Sequence, residues 1–209
     1  MSIKVIIFDF GGVITESPMK GFRRLEKNIS LESGSISKVV MNNPNDNAWA
    51  KCERGEIEIH QFINEFEEEA DILGYKIDMT MVLKELYGEI RPAMVSKIKE
   101  LKKDYKVVCL TNVLLGVSSL TPNKRILQVD NVLKNFSNIY ESCNLGMRKP
   151  EERIYKYLLN DLEITPEKCV FLDDLGINLK TAKRIGIHTI KVSDPNIAIS
   201  ELDNILEIK

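Results

Sequence analysis

Continuous apolar runs alternate along the chain with stretches of helical periodicity, and their order carries information about the fold. Lys4 to Phe8 (KVIIF) is a β-branched run that ends at Asp9 and the Gly11-Gly12 pair. A run that is apolar at every position predicts a strand buried on both faces, as in a parallel sheet. Lys106 to Leu110 (KVVCL), Cys169 to Leu172 (CVFL) and His188 to Val192 (HTIKV) predict three more. Helical patterns flank them over Pro92–Lys103, Glu151–Leu162 and Asn178–Ile185. The first has Pro near its first turn and lysines at its end, and the last closes on Gly186 as a C-terminal cap. Thr165-Pro166-Glu167 has turn or helix-start chemistry, and Asp194-Pro195 opens a final helix towards Leu206. Strands alternating with helices predict an α/β, Rossmann-like parallel sheet covered on both faces.

Residues 17–90 break that alternation. Phe22, Leu25 and Ile29, then Phe62, Ile63, Phe66, Ala70 and Leu73, keep helical spacing, and no strand-like run intervenes. Asn42 to Asp46 (NNPND) is a turn cluster, followed by Trp49, the only tryptophan. The economical reading is an all-helical module over 17–90, inserted into an α/β core made of 1–16 and 91–209. Glu67-Glu68-Glu69 is expected to be a solvated helix face.

Composition narrows the function classes. The 209 residues are 44% hydrophobic and 29% charged, ordinary for a soluble globular chain and unlike disordered, collagenous or coiled-coil sequences. With 29 basic and 31 acidic side chains the net charge is −2, so charge gives no argument for a nucleic-acid or anionic-membrane partner. Cys52, Cys109, Cys143 and Cys169 form no C-x-x-C pair, and His60 and His188 stand far apart, which disfavours zinc. Cys109 and Cys169 lie in apolar runs and read as core thiols. No apolar stretch reaches the roughly 18 residues of a membrane span. The N-terminal run is short, interrupted by Asp9, and has no basic leader, so a cytoplasmic protein is expected. The sequons at Asn28 and Asn135 are accordingly not expected to be used.

In an open parallel sheet, ligands bind beyond the carboxyl ends of the strands. Asp9 follows the first predicted strand, Thr111 and Asn112 the second, and Asp173 and Asp174 the third; Lys149 sits in the loop Gly146–Pro150 before a helix. Any one of them alone has a plain explanation as a turn former, a helix cap or a solvated charge. Together they bring three carboxylates, a hydroxyl, an amide and an ammonium to one edge. Carboxylates crowded within a few ångströms cannot all ionise unaided. Magnesium suits such carboxylates together with phosphate oxygens, and Lys149, Thr111 and Asn112 could hold the phosphate.

FDFGGV at 8–13, LTN at 110–112, GMRKPE at 146–151 and FLDDLGINLKTA at 171–182 resemble, in order, the four motifs of the haloacid dehalogenase superfamily. ESCNLGMRKPEERIYKYLL and the segment from Phe171 to Val192 most resemble two branches. One is the N-terminal phosphatase domain of soluble epoxide hydrolase, the other the N-terminal domain of acyl-CoA dehydrogenase fusion proteins. The resemblance implies an aspartyl-phosphate nucleophile at Asp9, a phosphate-binding pair at Thr111 and Asn112, and a charge-neutralising lysine at Lys149. It implies a magnesium site from Asp9, the Gly11 carbonyl and Asp174, with Asp173 in support and Asn178 where many relatives carry a further Asp. It makes 17–90 the cap that covers the site and chooses substrate. Arg23, Arg24, Trp49 and Arg54 are candidates to face it, with surface charge or core packing the default reading of each.

One position departs from the pattern. The family reads D-x-D-G-[VT], and the second Asp, the general acid and base, is Gly11 here. Its carbonyl can still bind a metal, but such a proton-transfer group typically contributes about 10²–10⁴-fold in rate. The implied activity is a magnesium-dependent phosphatase for a small phosphorylated metabolite, weakened at Gly11. The alternative is a phosphate-binding module without turnover. A dehalogenase is disfavoured by the Asp173-Asp174 pair, and a phosphomutase by the missing acid.

Overall fold

A computed structural model describes residues 2–207. The chain enters through β1 (Val5–Phe8) and then forms five successive helices, α1 (Pro18–Asn28), α2 (Ser35–Met41), α3 (Ala48–Glu53), α4 (Ile59–Ile72) and α5 (Met79–Glu85). It continues through α6 (Pro92–Leu101), β2 (Lys106–Thr111), α7 (Asn123–Leu133), β3 (Asn138–Glu141) and the single turn α8 (Ser142–Leu145). Then come α9 (Glu152–Asp161), β4 (Cys169–Asp173), α10 (Gly176–Ile185), β5 (His188–Lys191) and α11 (Pro195–Leu206). The five strands are all parallel, in the order β3-β2-β1-β4-β5. This is the expected α/β sheet. The continuous apolar runs are explained by its two faces. Ile6, Phe8, Val107, Cys109, Val170 and Leu172 pack with α6, α7 and α11, while Val5, Ile7, Val108, Leu110, Cys169 and Phe171 pack with α9 and α10.

The predicted strands and helices agree with the observed ones to within a few residues at their ends, and Gly186 does cap α10 in the left-handed region, at φ 104°. Thr165-Pro166-Glu167 leads into a short 3₁₀ turn, Pro166–Lys168. The strand β3 and the helix α7 had no counterpart in the sequence reading. β3 is an edge strand with a single neighbour, and of its four residues only Tyr140 is buried, so no apolar run marks it.

Helices α1–α5 gather around their own apolar core. Trp49 stands at its centre, edge-on to Phe22 and Phe62 with ring centroids 6.1 and 5.7 Å apart. Leu114, Leu115 and Val117 of the segment after β2 pack into the same core, so its packing extends beyond 17–90. The chain leaves and re-enters the sheet side by side: Thr15 bridges Ile90, and Glu16 N–H donates to Glu89 O at 2.9 Å. The acidic stretch at 67–69 corrects the expectation of a purely solvated face. Glu67 accepts from Met79 N–H and Glu69 from Ala48 N–H, each at 2.8 Å, capping the first turns of α5 and α3.

Candidate active site

The chain runs from β1 outward to β2 and β3, then crosses back to β4 on the other side of β1. The loops leaving β1 and β4 therefore diverge and open a crevice between them, the switch point of the sheet. Asp9 is the first residue after β1, Asp173 the last of β4, and Asp174 follows. Phe8 pairs with Leu172, and Asp9 N–H donates to Leu172 O at 2.9 Å, so Asp9 and Asp173 stand at one level on adjacent strands.

Lys149 enters the same crevice from the loop before α9. Its Nζ lies 2.8 Å from Asp9 Oδ1 and 2.8 Å from Asp173 Oδ2, and over the ring of Phe171. It is 1% exposed. A buried ammonium between two carboxylates is stable only because both partners are in place. Asp173 is held further by Leu175 N–H at 2.7 Å and by the buried Asn178 amide at 3.0 and 3.1 Å. Asp174 accepts from Ser17 Oγ at 2.9 Å.

The acids oppose one another. Burial pushes Asp9 up to about 8; Lys149 pulls the other way, but Asp173 and Asp174 add to the rise. Asp174 is raised as well, chiefly by burial. Burial disfavours charge on Lys149, yet Asp173 and Asp9 outweigh it and hold its pKa above the ordinary lysine value. Burial and the neighbouring acids thus work against charge on Asp9, and further positive charge at the site would favour its carboxylate form. Ligand atoms of Asp9, Asp173 and Asp174 lie within 4.8 Å of one another, and this all-oxygen set fits a hard divalent cation.

The two glycines of the first loop differ. Gly12 has φ 77°, and a Cβ there would lie 2.1 Å from Asp174 Oδ2, so nothing larger fits. Gly11 is outside the left-handed region, and a Cβ there would meet only Pro18, at 3.9 Å. The fold leaves room for a Cβ at Gly11, the position at which the sequence departs from the family pattern.

Thr111 closes β2, the strand next to β1, and is buried. Asn112, expected as a phosphate donor, accepts from Lys149 N–H at 2.9 Å through Oδ1, and its Nδ2 donates to Lys149 O at 3.0 Å and Glu53 Oε2 at 3.1 Å. Its side-chain donors are thus shared between Lys149 and Glu53. Of the helical candidates, Arg23 is exposed, Arg24 pairs with Glu85, Arg54 with Glu56 and Glu151, and Trp49 is core. Sequence reasoning missed Ser17, Glu53, Arg148 and Arg91. The Arg91 Nη1 donates to Gly12 O at 2.7 Å and so pins the loop after β1. Only contacts between distant segments single these residues out.

Fold and site together define a Rossmann-like α/β protein with an acidic, lysine-bridged crevice at its switch point. The chain belongs to the haloacid dehalogenase-like hydrolases, whose family model matches residues 3–186. It is 32% identical to mouse acyl-CoA dehydrogenase family member 10, over 98% of this chain and 19% of that one. It is 27% identical to pig bifunctional epoxide hydrolase 2, over 100% of this chain and 40% of that one. It thus spans less than half the length of either relative. A D-ribitol-5-phosphate phosphatase from Bacteroides thetaiotaomicron is 24% identical, over 90% of this chain and 91% of that one. Among solved structures, a HAD-like family hydrolase from Porphyromonas gingivalis superposes with TM-score 0.71 at 26% identity, covering 97% of this chain and 98% of that one. A HAD family enzyme from B. thetaiotaomicron, crystallised with magnesium and inorganic phosphate, gives 0.63 at 22% identity, covering 91% of this chain and 94% of that one.

Proposed function

We propose that this chain is a magnesium-dependent phosphatase for a small phosphorylated metabolite, working through an aspartyl-phosphate at Asp9, with helices α1–α5 as the cap over the site. The observation that carries the reading is the buried Asp9–Lys149–Asp173 arrangement with Asp174 beside it at the switch point. Phosphatases among the relatives support it. Asp9, the Gly11 carbonyl and Asp174 would hold magnesium, with Asp173 in support; when bound, the ion supplies charge that ionises Asp9 and offsets the phosphoryl oxygens. Asp9 attacks phosphorus, forming an O–P bond as the ester O–P bond breaks, and the leaving oxygen takes the electron pair. Lys149 and the Thr111 hydroxyl stabilise the charge on the phosphoryl group. Water then attacks phosphorus and regenerates the Asp9 carboxylate. No side chain at Gly11 delivers a proton to the leaving oxygen. Phenolic and acyl phosphates, whose leaving groups depart unprotonated, are therefore favoured.

The test is phosphate release from para-nitrophenyl phosphate with and without magnesium. Turnover that persists unchanged in Asp9→Asn sinks the reading. Gly11 motivates a second one, a module that binds phosphate without hydrolysing it. That reading expects magnesium-dependent binding of a phosphate analogue and no release, and any release above background removes it.

A further inference from the structure

Glu53 closes α3, belongs to the helical unit, and has no part in the scheme above, yet it is the carboxylate of that unit that faces the lysine loop. It is 7% exposed. Its Oε1 accepts from Trp49 Nε1 at 2.9 Å, and its Oε2 accepts from Asn112 Nδ2 at 3.1 Å and from Arg148 Nε. Arg148 is tied down in turn, with Nη1 donating to Pro44 O at 2.8 Å. A buried carboxylate needs such donors, and it selects their orientation.

The orientation that matters is that of Asn112. An Asn amide has two nearly isosteric flips that exchange donor and acceptor. In the observed flip, Nδ2 meets Glu53 and Lys149 O, while Oδ1 meets Lys149 N–H. The opposite flip would set an oxygen against Glu53 and Lys149 O, and an N–H against Lys149 N–H. Glu53 excludes it. Asn112 thereby grips both backbone polar groups of Lys149, whose Nζ reaches Asp9 and Asp173.

We infer that Glu53 is a positioning residue for Lys149, acting from the helical unit through the Asn112 amide. Its bearing on turnover rests on the phosphatase reading; its bearing on Lys149 does not. Glu53→Gln is isosteric but sets an N–H group against one of its donors. In magnesium-dependent hydrolysis of para-nitrophenyl phosphate, kcat should fall about 10- to 100-fold, as for a small misplacement of a catalytic group, with KM within about threefold. Protection of the Lys149 amide against hydrogen exchange should fall about tenfold, while the protection of β1 and β4 is kept. In an Asn112→Ala background, Glu53→Gln should cost less than about threefold more, because the two residues act in series.

Unchanged protection at Lys149 in Glu53→Gln overturns the inference, whatever happens to kcat. Full multiplicativity with Asn112→Ala overturns it too. A wild-type protein without turnover refutes only the phosphatase reading and leaves Lys149 exchange to decide. Should Glu53→Gln not fold, Glu53→Asp keeps the charge, withdraws it from Asn112, and carries the same expectations.

Discussion

The α/β core and the helical unit both bury polar side chains, but to opposite ends. In the helical unit they make the unit's own turns: Glu26 accepts from Gly34 and Ile36 N–H at 2.7 and 2.9 Å, and Asn47 caps α3. In the core, Asp9, Lys149 and Asp173 meet one another at strand ends, where their mutual repulsion and attraction leave a site that wants more positive charge. Burial stabilises the first region and creates chemical demand in the second. Glu53 is the buried acid that crosses between them.

Substitutions can break that contrast. Asp9→Asn should lower phosphate release by about 10⁴-fold or more, as loss of a nucleophile does. Trp49→Ala should do the reverse, costing about 3–5 kcal/mol in urea unfolding as an aromatic centre is emptied, while the folded fraction keeps its pH profile. A Trp49→Ala that unfolds no more easily than wild type would remove the helical unit's claim to a core of its own. Gly11→Asp should raise the rate about 10²-fold, and more for alkyl than for aryl phosphates, because the space beside Pro18 accepts a side chain and alkyl leaving groups need the proton. An equal gain for both classes would mean that the new carboxyl is not acting as an acid.

The smallest effect is a slope. Folded metal-free protein holds the Asp9 proton to about pH 8, whereas the ordinary value is 3.8. Between those limits the folded state binds more protons than the unfolded one, so stability falls as pH rises, by at most about 1.4 kcal/mol per pH unit. The slope should be reduced in Asp9→Asn, where the raised Asp174 still contributes, and diminished by magnesium, as read by thermal unfolding at stepped pH.

The same contrast decides what the sequence could reveal. Strands buried on both faces write continuous apolar runs, so β1, β2 and β4 were legible, while β5, an edge strand with only Ile190 buried, was marked by its β-branched residues; the ends of β1 and β4 named Asp9, Asp173 and Asp174. β3 was not, since Ile139 faces solvent and only Tyr140 faces the core. Lys149 was legible through its motif. The side-chain partners of Asn112 were not legible, because they are Glu53, 59 residues away, and Lys149, 37 residues away. Glu53 itself sits in a short helix where any acid would look solvated, and its partner Arg148 is 95 residues distant. Helical periodicity reports which face is buried, and not which polar group on that face reaches another segment.

The Thr15–Ile90 bridge sets the relation between the two regions. Because the chain departs and returns at one point, the sheet registers everything between Glu16 and Glu89 as a single tight turn. Helices can be lengthened or redrawn inside that turn without shifting a strand, provided that the contacts back to the core are kept: Glu53 with Asn112 and Arg148, Arg54 with Glu151, Ser17 with Asp174, and the apolar packing of Leu114, Leu115 and Val117. The helical unit and the sheet can then diversify at different rates within one chain, coupled at those few contacts.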